Sequence, residues 1–165
     1  MLTVTFTGHR PNKIGGYDPN NPKRVAIRQE LRNMLLVLLE DDPDITAICG
    51  GALGVDTDAA RECYKLGIPY MIASPCRNQD KMWPTASKVS YKKMCDLATS
   101  VHFVHDGEYN SSCMQDRNRF MVDNADVLIS VWDGVESGGT WNCISYANTK
   151  PELRHIAINP NELGV

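Results

Sequence analysis

Short apolar segments alternate with longer amphipathic segments along the whole chain. The short segments predict six strands, at residues 3–7, 44–49, 70–73, 100–104, 125–131 and 155–158. The segments between them predict five helices, at residues 23–41, 55–66, 85–98, 112–123 and 141–148. In the first helix, Ile27, Leu31, Leu35 and Leu38 recur at helical spacing, and Gly67 is placed to end the second helix.

Strands separated by helices predict an α/β fold: a Rossmann-like parallel sheet with helices on both faces and right-handed crossovers. The strands are almost continuously apolar, which fits burial on both faces of the sheet. We find no repeat, linker or low-complexity segment, so a single domain is predicted over residues 1–165. Such sheets bind ligands at the carboxyl ends of their strands, near the topological switch point, and the loops there are the candidates for function.

Composition narrows the class of protein. Hydrophobic residues make up 42% and charged residues 22% of the chain, which is ordinary for a globular domain. The net charge of -3 argues against a broad nucleic-acid-binding surface, although a local basic groove stays compatible with it. No apolar stretch approaches the roughly 20 residues needed to span a bilayer, and the chain opens on a strand without a signal-peptide pattern. We therefore predict a cytoplasmic protein with no membrane contact; a homo-oligomer is compatible with the sequence.

The cysteines and histidines give no sign of a disulfide framework or a metal site. Six cysteines occur without any CxxC pair, and several fall inside apolar patterns, so reduced thiols are expected. His102 and His105 lie on or near a predicted strand, where their spacing directs them to opposite faces. No metal and no other cofactor is predicted.

The loop CGGALGVD, residues 49–56, follows the second predicted strand. Gly50 and Gly51 permit positive φ angles and a close approach of the backbone, and Gly54 precedes the next helix. The free N–H groups and the positive dipole end of that helix favour an anion, most simply a phosphate. Asp56 is a candidate acceptor for a ribose hydroxyl.

A second glycine-rich loop, WDGVESGGT at residues 132–140, follows the fifth predicted strand. Gly138 and Gly139 precede the last helix, and Thr140 adds a hydroxyl or an N-cap. Two such loops side by side suit a nucleotide or a nucleotide-derived ligand. The alternative is that the glycines only form tight strand-to-helix turns, because neither loop has the G-x-G-x-x-G pattern or the lysine of a P-loop.

The loop TGHRP follows the first predicted strand. Beside Gly8, His9 could donate a proton, since its ordinary pKa is about 6.5. Arg10 could contact a phosphate or a base edge, and the alternative is a shaped turn in which Pro11 ends the strand. Four aromatic residues in or beside loops could stack on a base, although core packing is the usual role of such residues: Tyr17, Trp83, Trp132 and Trp141.

Longer motifs resemble one superfamily. The segment ICGGALGVDTDAARECYKLGIPYMIA looks like the G-x-A-x-G-x-D stretch of the DNA-processing protein DprA/Smf. The segment MQDRNRFMVDNADVLISVWDGVESGGTWNCISYA resembles the M-x-x-R-x-x-x-M and G-G-x-G-T-x-x-E stretches of LOG-type proteins, which are nucleotide phosphoribohydrolases. With the TGHRP opening, nearly the whole chain is similar to the YpsA-like branch of the SLOG (Smf/DprA–LOG) superfamily, which includes enzymes, DNA binders and nucleotide sensors.

The resemblance implies specific roles and one departure. Arg117 stands at the arginine of M-x-x-R-x-x-x-M, where it could bind a phosphate or carboxylate through two hydrogen bonds; a salt bridge on the helix surface is the alternative. Cys143 stands where LOG-type enzymes carry a glutamate, and the glycine motif is shortened to GGT. These differences argue against the phosphoribohydrolase reaction unless another carboxylate replaces that glutamate, for which Asp56 and Glu136 are the candidates, with Asp133 a third.

Three classes of function stay open. The first is a binding or sensor module for a nucleotide or an ADP-ribose-like small molecule, which needs only the phosphate loops. The second is a hydrolase or transferase that acts on a nucleotide N-glycosidic bond, which needs a placed carboxylate. The third is DprA-like binding of single-stranded DNA, which needs a basic groove; the chain's acidity weakens it, although lysines cluster at positions 81, 88, 92 and 93.

Overall fold

Six strands and five α-helices alternate along residues 1–165, all of which the computed structural model describes. The strands are β1 (Leu2–Gly8), β2 (Ile45–Cys49), β3 (Tyr70–Ser74), β4 (Ser100–Phe103), β5 (Val127–Val131) and β6 (Arg154–Ile158). The helices are α1 (Pro22–Asp41), α2 (Val55–Lys65), α3 (Thr85–Leu97), α4 (Cys113–Asp123) and α5 (Gly138–Ala147). Two short 3-10 helices, Pro11–Lys13 and Pro160–Glu162, complete the fold.

The strands form one sheet in the order β4-β3-β2-β1-β5-β6, and every neighbouring pair is parallel. One face packs against α1, α2 and α3, and the other packs against α4 and α5. The predicted Rossmann-like α/β sheet with helices on both faces is thereby confirmed. The chain adds strands on one side of β1 up to β4 and then returns to its other side with β5, so the topological switch point lies between β1 and β5.

Helix α1 shows how the sequence specifies its own boundaries. Asn21 caps its start, because the Asn21 side chain accepts a hydrogen bond from the Arg24 amide at 3.0 Å, and Pro22 occupies the first turn. Its apolar face, with Ile27 and Leu31 among its fully buried residues, packs on the sheet. The predicted helix is therefore present with nearly the predicted ends.

Buried ion pairs join α1 to α2, and periodicity alone did not predict them. The Arg24 guanidinium donates to both carboxylate oxygens of Asp58, at 3.2 and 2.8 Å, and Arg28 donates to the same carboxylate at 3.2 Å. The same arginines donate to the Tyr17 and Pro19 carbonyls, so they also fasten the loop that precedes α1. Charges this deeply buried are tolerated only because every one of them is paired.

One boundary differs from the prediction in a way that concerns function. Helix α5 begins at Gly138, not at Trp141, so Gly138 and Gly139 form its first turn and do not belong to the preceding loop. His105 lies beyond the end of β4, where its Nε2 is 2.8 Å from Asp116. Gly67 does follow the end of α2 with a φ of 71°, as predicted. No helix combines the length and hydropathy needed to cross a bilayer.

Candidate functional site

The loops after β1 and β2, together with α4 and the start of α5, surround one cleft at the carboxyl edge of the sheet. Because all strands are parallel, the Gly50 and Gly138 loops open on the same edge, as the sequence predicted. The cleft lies at the topological switch point and has a volume of about 310 Å³. It is lined by Phe6, Thr7, Gly8, His9, Arg10, Asn12, Lys13, Ala52, Asp56, Met114, Arg117, Asn118, Met121, Gly139 and Thr140.

The start of α5 is an uncapped helix N-terminus at this cleft. Its N-cap residue, Ser137, makes no capping hydrogen bond through its side chain, and the first turn contains no acidic residue. None of the amides of residues 138–141 donates to a side chain or to a loop carbonyl. Gly139 and Thr140 line the cleft, so the free N–H groups and the positive end of the helix dipole border it.

The start of α2 differs, although the sequence predicted the same role for it. The Val55 amide donates to the His9 carbonyl at 3.3 Å, and the Ala52 amide donates to Asp56 Oδ2 at 3.3 Å. The protein's own oxygens therefore occupy part of this helix start, and one of them carries the charge of a carboxylate. An external anion finds fewer free donors here than at α5.

The glycines of the β2–α2 loop serve close packing and do not line the cleft. A Cβ at Gly50 would lie 2.5 Å from Arg117 Nη1 and 2.6 Å from Asp56 Oδ2. Gly54, with a φ of 93°, would place a Cβ 2.5 Å from the His9 carbonyl oxygen. Gly51, with a φ of 74°, faces the Tyr91 ring, so a side chain there would collide with Tyr91 and would not enter the cleft.

Arg117 and Asp56 form the buried charged centre of the site. Arg117, only 4% exposed, donates through Nη1 to the Gly50 carbonyl at 2.7 Å and through Nε to the Asn118 amide oxygen at 3.0 Å. The same Nη1 is 3.8 Å from Asp56 Oδ2. Burial raises the pKa of Asp56, and the positive charges of Arg117 and Arg10 oppose that rise. Arg117 Nη2 makes no hydrogen bond within the protein and stays available to a ligand.

His9 is buried at the end of β1 and faces the loop after β5. His9 Nε2 lies 3.1 Å from the Asp133 amide nitrogen and 3.4 Å from Asp133 Oδ1. Burial lowers the pKa of His9, although the nearby Asp133 carboxylate opposes that shift. A neutral His9 at physiological pH can donate a hydrogen bond to a ligand without adding charge to the cleft.

Arg10 and Lys13 are cations without partners. Both are exposed, both line the cleft, and neither side chain makes an ion pair or a hydrogen bond in the protein. Lys13 lies on the 3-10 helix that follows the TGHRP loop, together with Asn12. Sequence reasoning selected Arg10 and missed these two neighbours; the signal available was the continuation of TGHRP into NK. Asn118 was also missed, although it directly follows Arg117.

Several predicted site residues lie outside the cleft. Glu136 is exposed, and neither Glu136 nor Gly138 is among the residues that line the cleft with Asp56. Trp132 and Trp141 stack on each other with ring centroids 5.5 Å apart, and Trp83 packs edge-on against Tyr91. Cys143, at the position of the family glutamate, is buried, and burial raises the pKa of its thiol to about 11. At neutral pH this thiol is protonated and is a poor nucleophile.

The fold and cleft define a Rossmann-like α/β protein, and comparison with known proteins gives its family. Residues 4–159 match the model of the YspA SLOG family, so the chain belongs to that family. It is similar to the SPbeta prophage-derived protein YoqJ of Bacillus subtilis (strain 168), with 32% identity over 152 residues that cover 82% of this chain and 87% of YoqJ.

Two solved structures of DNA processing protein A (DprA) share the fold. The protein from Streptococcus pneumoniae superposes with a TM-score of 0.67 and 16% identity over 95% of this chain, which spans half (50%) of that protein's length. The protein from Helicobacter pylori, whose structure is described as giving insight into its single-stranded DNA binding mode, superposes with a TM-score of 0.64 and 19% identity. The match covers 94% of this chain and 64% of the Helicobacter chain.

Proposed function

We propose that this protein is a binding or sensor module that holds a phosphorylated nucleotide, or a related nucleotide-derived molecule, in the cleft between β1 and β5. The proposal rests on one observation: the uncapped start of α5 and the unpaired cations Arg10 and Lys13 open into the same cleft. An anion there would satisfy free helix amides and neutralise free positive charges at once. A nucleotide ligand is consistent with the cytoplasmic location predicted from the sequence.

The size and chemistry of the lining support a small, phosphorylated ligand. At about 310 Å³ the cleft is at the lower end of the roughly 300–1,000 Å³ range of small-molecule sites. Its one lining carboxylate, Asp56, is already engaged by Ala52 and Arg117. The amides of Asn12 and Asn118 can pair with a base edge or a ribose, and the two lining methionines offer an apolar wall.

Titration calorimetry with nucleoside monophosphates, and with the matching nucleosides, tests the role of the phosphate. We expect micromolar-range binding of a nucleotide and a loss of about tenfold or more for its nucleoside, because a charge-assisted hydrogen bond contributes about 1.5–3 kcal/mol. Lys13→Ala and Arg10→Ala should each weaken nucleotide binding, whereas Arg154→Ala, at an exposed cation outside the cleft, is the control. A nucleoside that binds as tightly as its nucleotide would contradict the proposal.

A second candidate is cleavage of a nucleotide N-glycosidic bond, and the position of Asp56 favours it. Asp56 is a buried carboxylate in the cleft, and burial raises its pKa, as is common for groups that exchange protons in catalysis. If the protein is such a hydrolase, incubation with nucleoside monophosphates should release free base, and Asp56→Asn should slow release by roughly a hundredfold or more while nucleotide still binds.

The chain supplies its own control for this experiment. Glu136→Gln removes a second predicted carboxylate, which is exposed and does not line the cleft, and should leave the rate of release unchanged. If Asp56→Asn cleaves as fast as the unmodified protein, Asp56 does not perform the chemistry. Absence of any released base would leave nucleotide binding without hydrolysis as the function.

Binding of single-stranded nucleic acid is the third function considered from the sequence. The residues that line the cleft favour it less than they favour a nucleotide. The Helicobacter relative by fold is described as binding single-stranded DNA. In this chain, however, none of the clustered lysines at positions 81, 88, 92 and 93 lines the cleft. A strand would also need stacking platforms, and no tryptophan or tyrosine contributes to the lining.

A further inference from the structure

A groove runs between α2 and α3 on the face of the molecule away from α4 and α5. It consists of two adjoining cavities of about 230 and 400 Å³, which share Arg61, Ser90 and Met94. No residue of α3 is fully buried, so this helix covers α2 only partly. Tyr64 and Leu97 line the groove at its far end and are 55% and 41% exposed. We call this surface the α2–α3 groove.

The rim of the α2–α3 groove is positively charged although the protein as a whole is acidic. Arg61 and Lys93 line it, and neither makes an ion pair. Lys65 also lines it, 3.9 Å from Glu62, whose carboxylate is buried and already bonded to Arg32. In a chain of net charge -3, this groove is a local excess of cations around an apolar floor.

The carboxyl end of α1 combines exposed apolar side chains with negative charges, whereas the rim of the α2–α3 groove is positive. The adjacent apolar side chains of Leu36 and Val37 are 43% and 50% exposed there. Glu40 and Asp41 follow one turn later on the same faces, are exposed, and make no ion pair. The exposed end of α1 is thus an acidic and apolar surface, which we call the α1 end.

We propose that two copies of this chain associate, with the α1 end of each copy seated in the α2–α3 groove of the other. Helices α1, α2 and α3 lie on one face of the sheet, with α2 in contact with both others. Each follows a parallel strand and runs back against it, so all three end at the same edge of the sheet. A two-fold axis parallel to α2 would place α1 of one copy over the groove of the other. The carboxyl end of α1 would then lie beside the carboxyl ends of α2 and α3 of the other copy.

This arrangement makes both contacts at once, as a two-fold symmetric interface requires. Leu36 and Val37 would cover Tyr64 and Leu97, while Glu40 and Asp41 would face the cations of the rim. Apolar residues at the centre and charges at the edge are the usual anatomy of such interfaces. None of the residues named for this contact lines the carboxyl-edge cleft, so dimerisation and nucleotide binding can be tested separately.

Charge reversal with rescue tests the proposal. By sedimentation at about 0.1 M salt, the unmodified protein should be a dimer. The double variant Arg61→Glu, Lys93→Glu should weaken dimerisation by about a hundredfold or more, because like charges across an interface cost several kcal/mol. Adding Glu40→Lys and Asp41→Lys to the same chain should restore the dimer. Arg119→Glu with Arg154→Glu is the matched control, since Arg119 lies on α4 and Arg154 on β6, the edge strand farthest from β3 and β4.

The outcomes separate clearly. A monomeric unmodified protein, or a dimer that is indifferent to reversal of the groove charges, overturns the proposal. If the variant with all four substitutions does not regain the dimer, the proposed pairing of the α2–α3 groove with the α1 end is overturned. Circular dichroism must show that all variants are folded. Because the substituted residues are exposed, folding should be preserved. Restored dimerisation of the variant with four substitutions supports the proposed dimer.

Discussion

Replacing Arg117 by alanine should lower the free energy of unfolding by about 3–5 kcal/mol, because it leaves the buried Asp56 carboxylate without its nearest cation. The substitution also removes the hydrogen bond to the Gly50 carbonyl at 2.7 Å, which joins α4 to the β2–α2 loop. The family resemblance led us to expect either a ligand contact or a salt bridge on the helix surface for Arg117. The burial of Arg117 changes that expectation. Chemical denaturation monitored by circular dichroism measures the effect.

Two further variants isolate the cause of that loss. Adding Asp56→Asn to Arg117→Ala should recover part of the stability, because the uncompensated charge is then gone. Arg119→Ala, at an exposed arginine two residues along α4 whose guanidinium lies over the Tyr146 ring, should change stability by less than about 0.5 kcal/mol. Equal losses for Arg117→Ala and Arg119→Ala would show that the buried pair has no special role.

Replacing Gly139 by aspartate should abolish nucleotide binding, with a loss of about a hundredfold or more, and leave the fold intact. The new carboxylate would lie in the first turn of α5, where the proposed phosphate binds, and like charges repel strongly there. A Cβ at Gly139 meets no atom within 4 Å, and its φ is not positive, so the side chain fits without strain. Stability should rise by about 0.3–1 kcal/mol, because a negative charge favours a helix N-terminus.

Gly139→Asn is the neutral control for this variant, since it adds nearly the same volume without the charge. Calorimetric titration of both variants with the same nucleoside monophosphate should show a much larger loss for aspartate than for asparagine. Equal losses would indicate that volume, not charge, disturbs the site. Unchanged binding in both would place the phosphate away from α5 and contradict the proposed function.

The fold could be predicted because its signals are local and repeated. Six apolar segments, each followed by a helical pattern, leave few arrangements other than a parallel sheet, and parallel strands bring their carboxyl ends to one edge. That edge contains TGHRP and both glycine loops, so the location of the cleft followed from the order of elements. Membership of the SLOG superfamily followed from the motifs themselves.

The sequence could not show which of the two glycine loops precedes a helix start that is free to bind an anion. Both precede a helix and both resemble phosphate loops, but only three-dimensional packing shows that the His9 carbonyl and the Asp56 carboxylate occupy the start of α2. The burial of Arg117 was equally hidden, because its partner carbonyl at Gly50 is 67 residues away in sequence. Lys13 and Asn12 could not be predicted as site residues, because exposed polar residues do not stand out in a hydrophobic pattern.

The hydrogen bonds from Arg24 and Arg28 to the Tyr17 and Pro19 carbonyls hold in place the segment that joins the cleft residues Asn12 and Lys13 to α1. The segment they hold follows directly after the 3-10 helix that carries Asn12 and Lys13. Because both arginines are themselves held by Asp58 of α2, the segment can leave α2 only if its own hydrogen bonds to these anchored side chains break. For the proposed nucleotide we therefore expect an association rate set by diffusion and by the attraction of the free cations, with no slow opening of this segment.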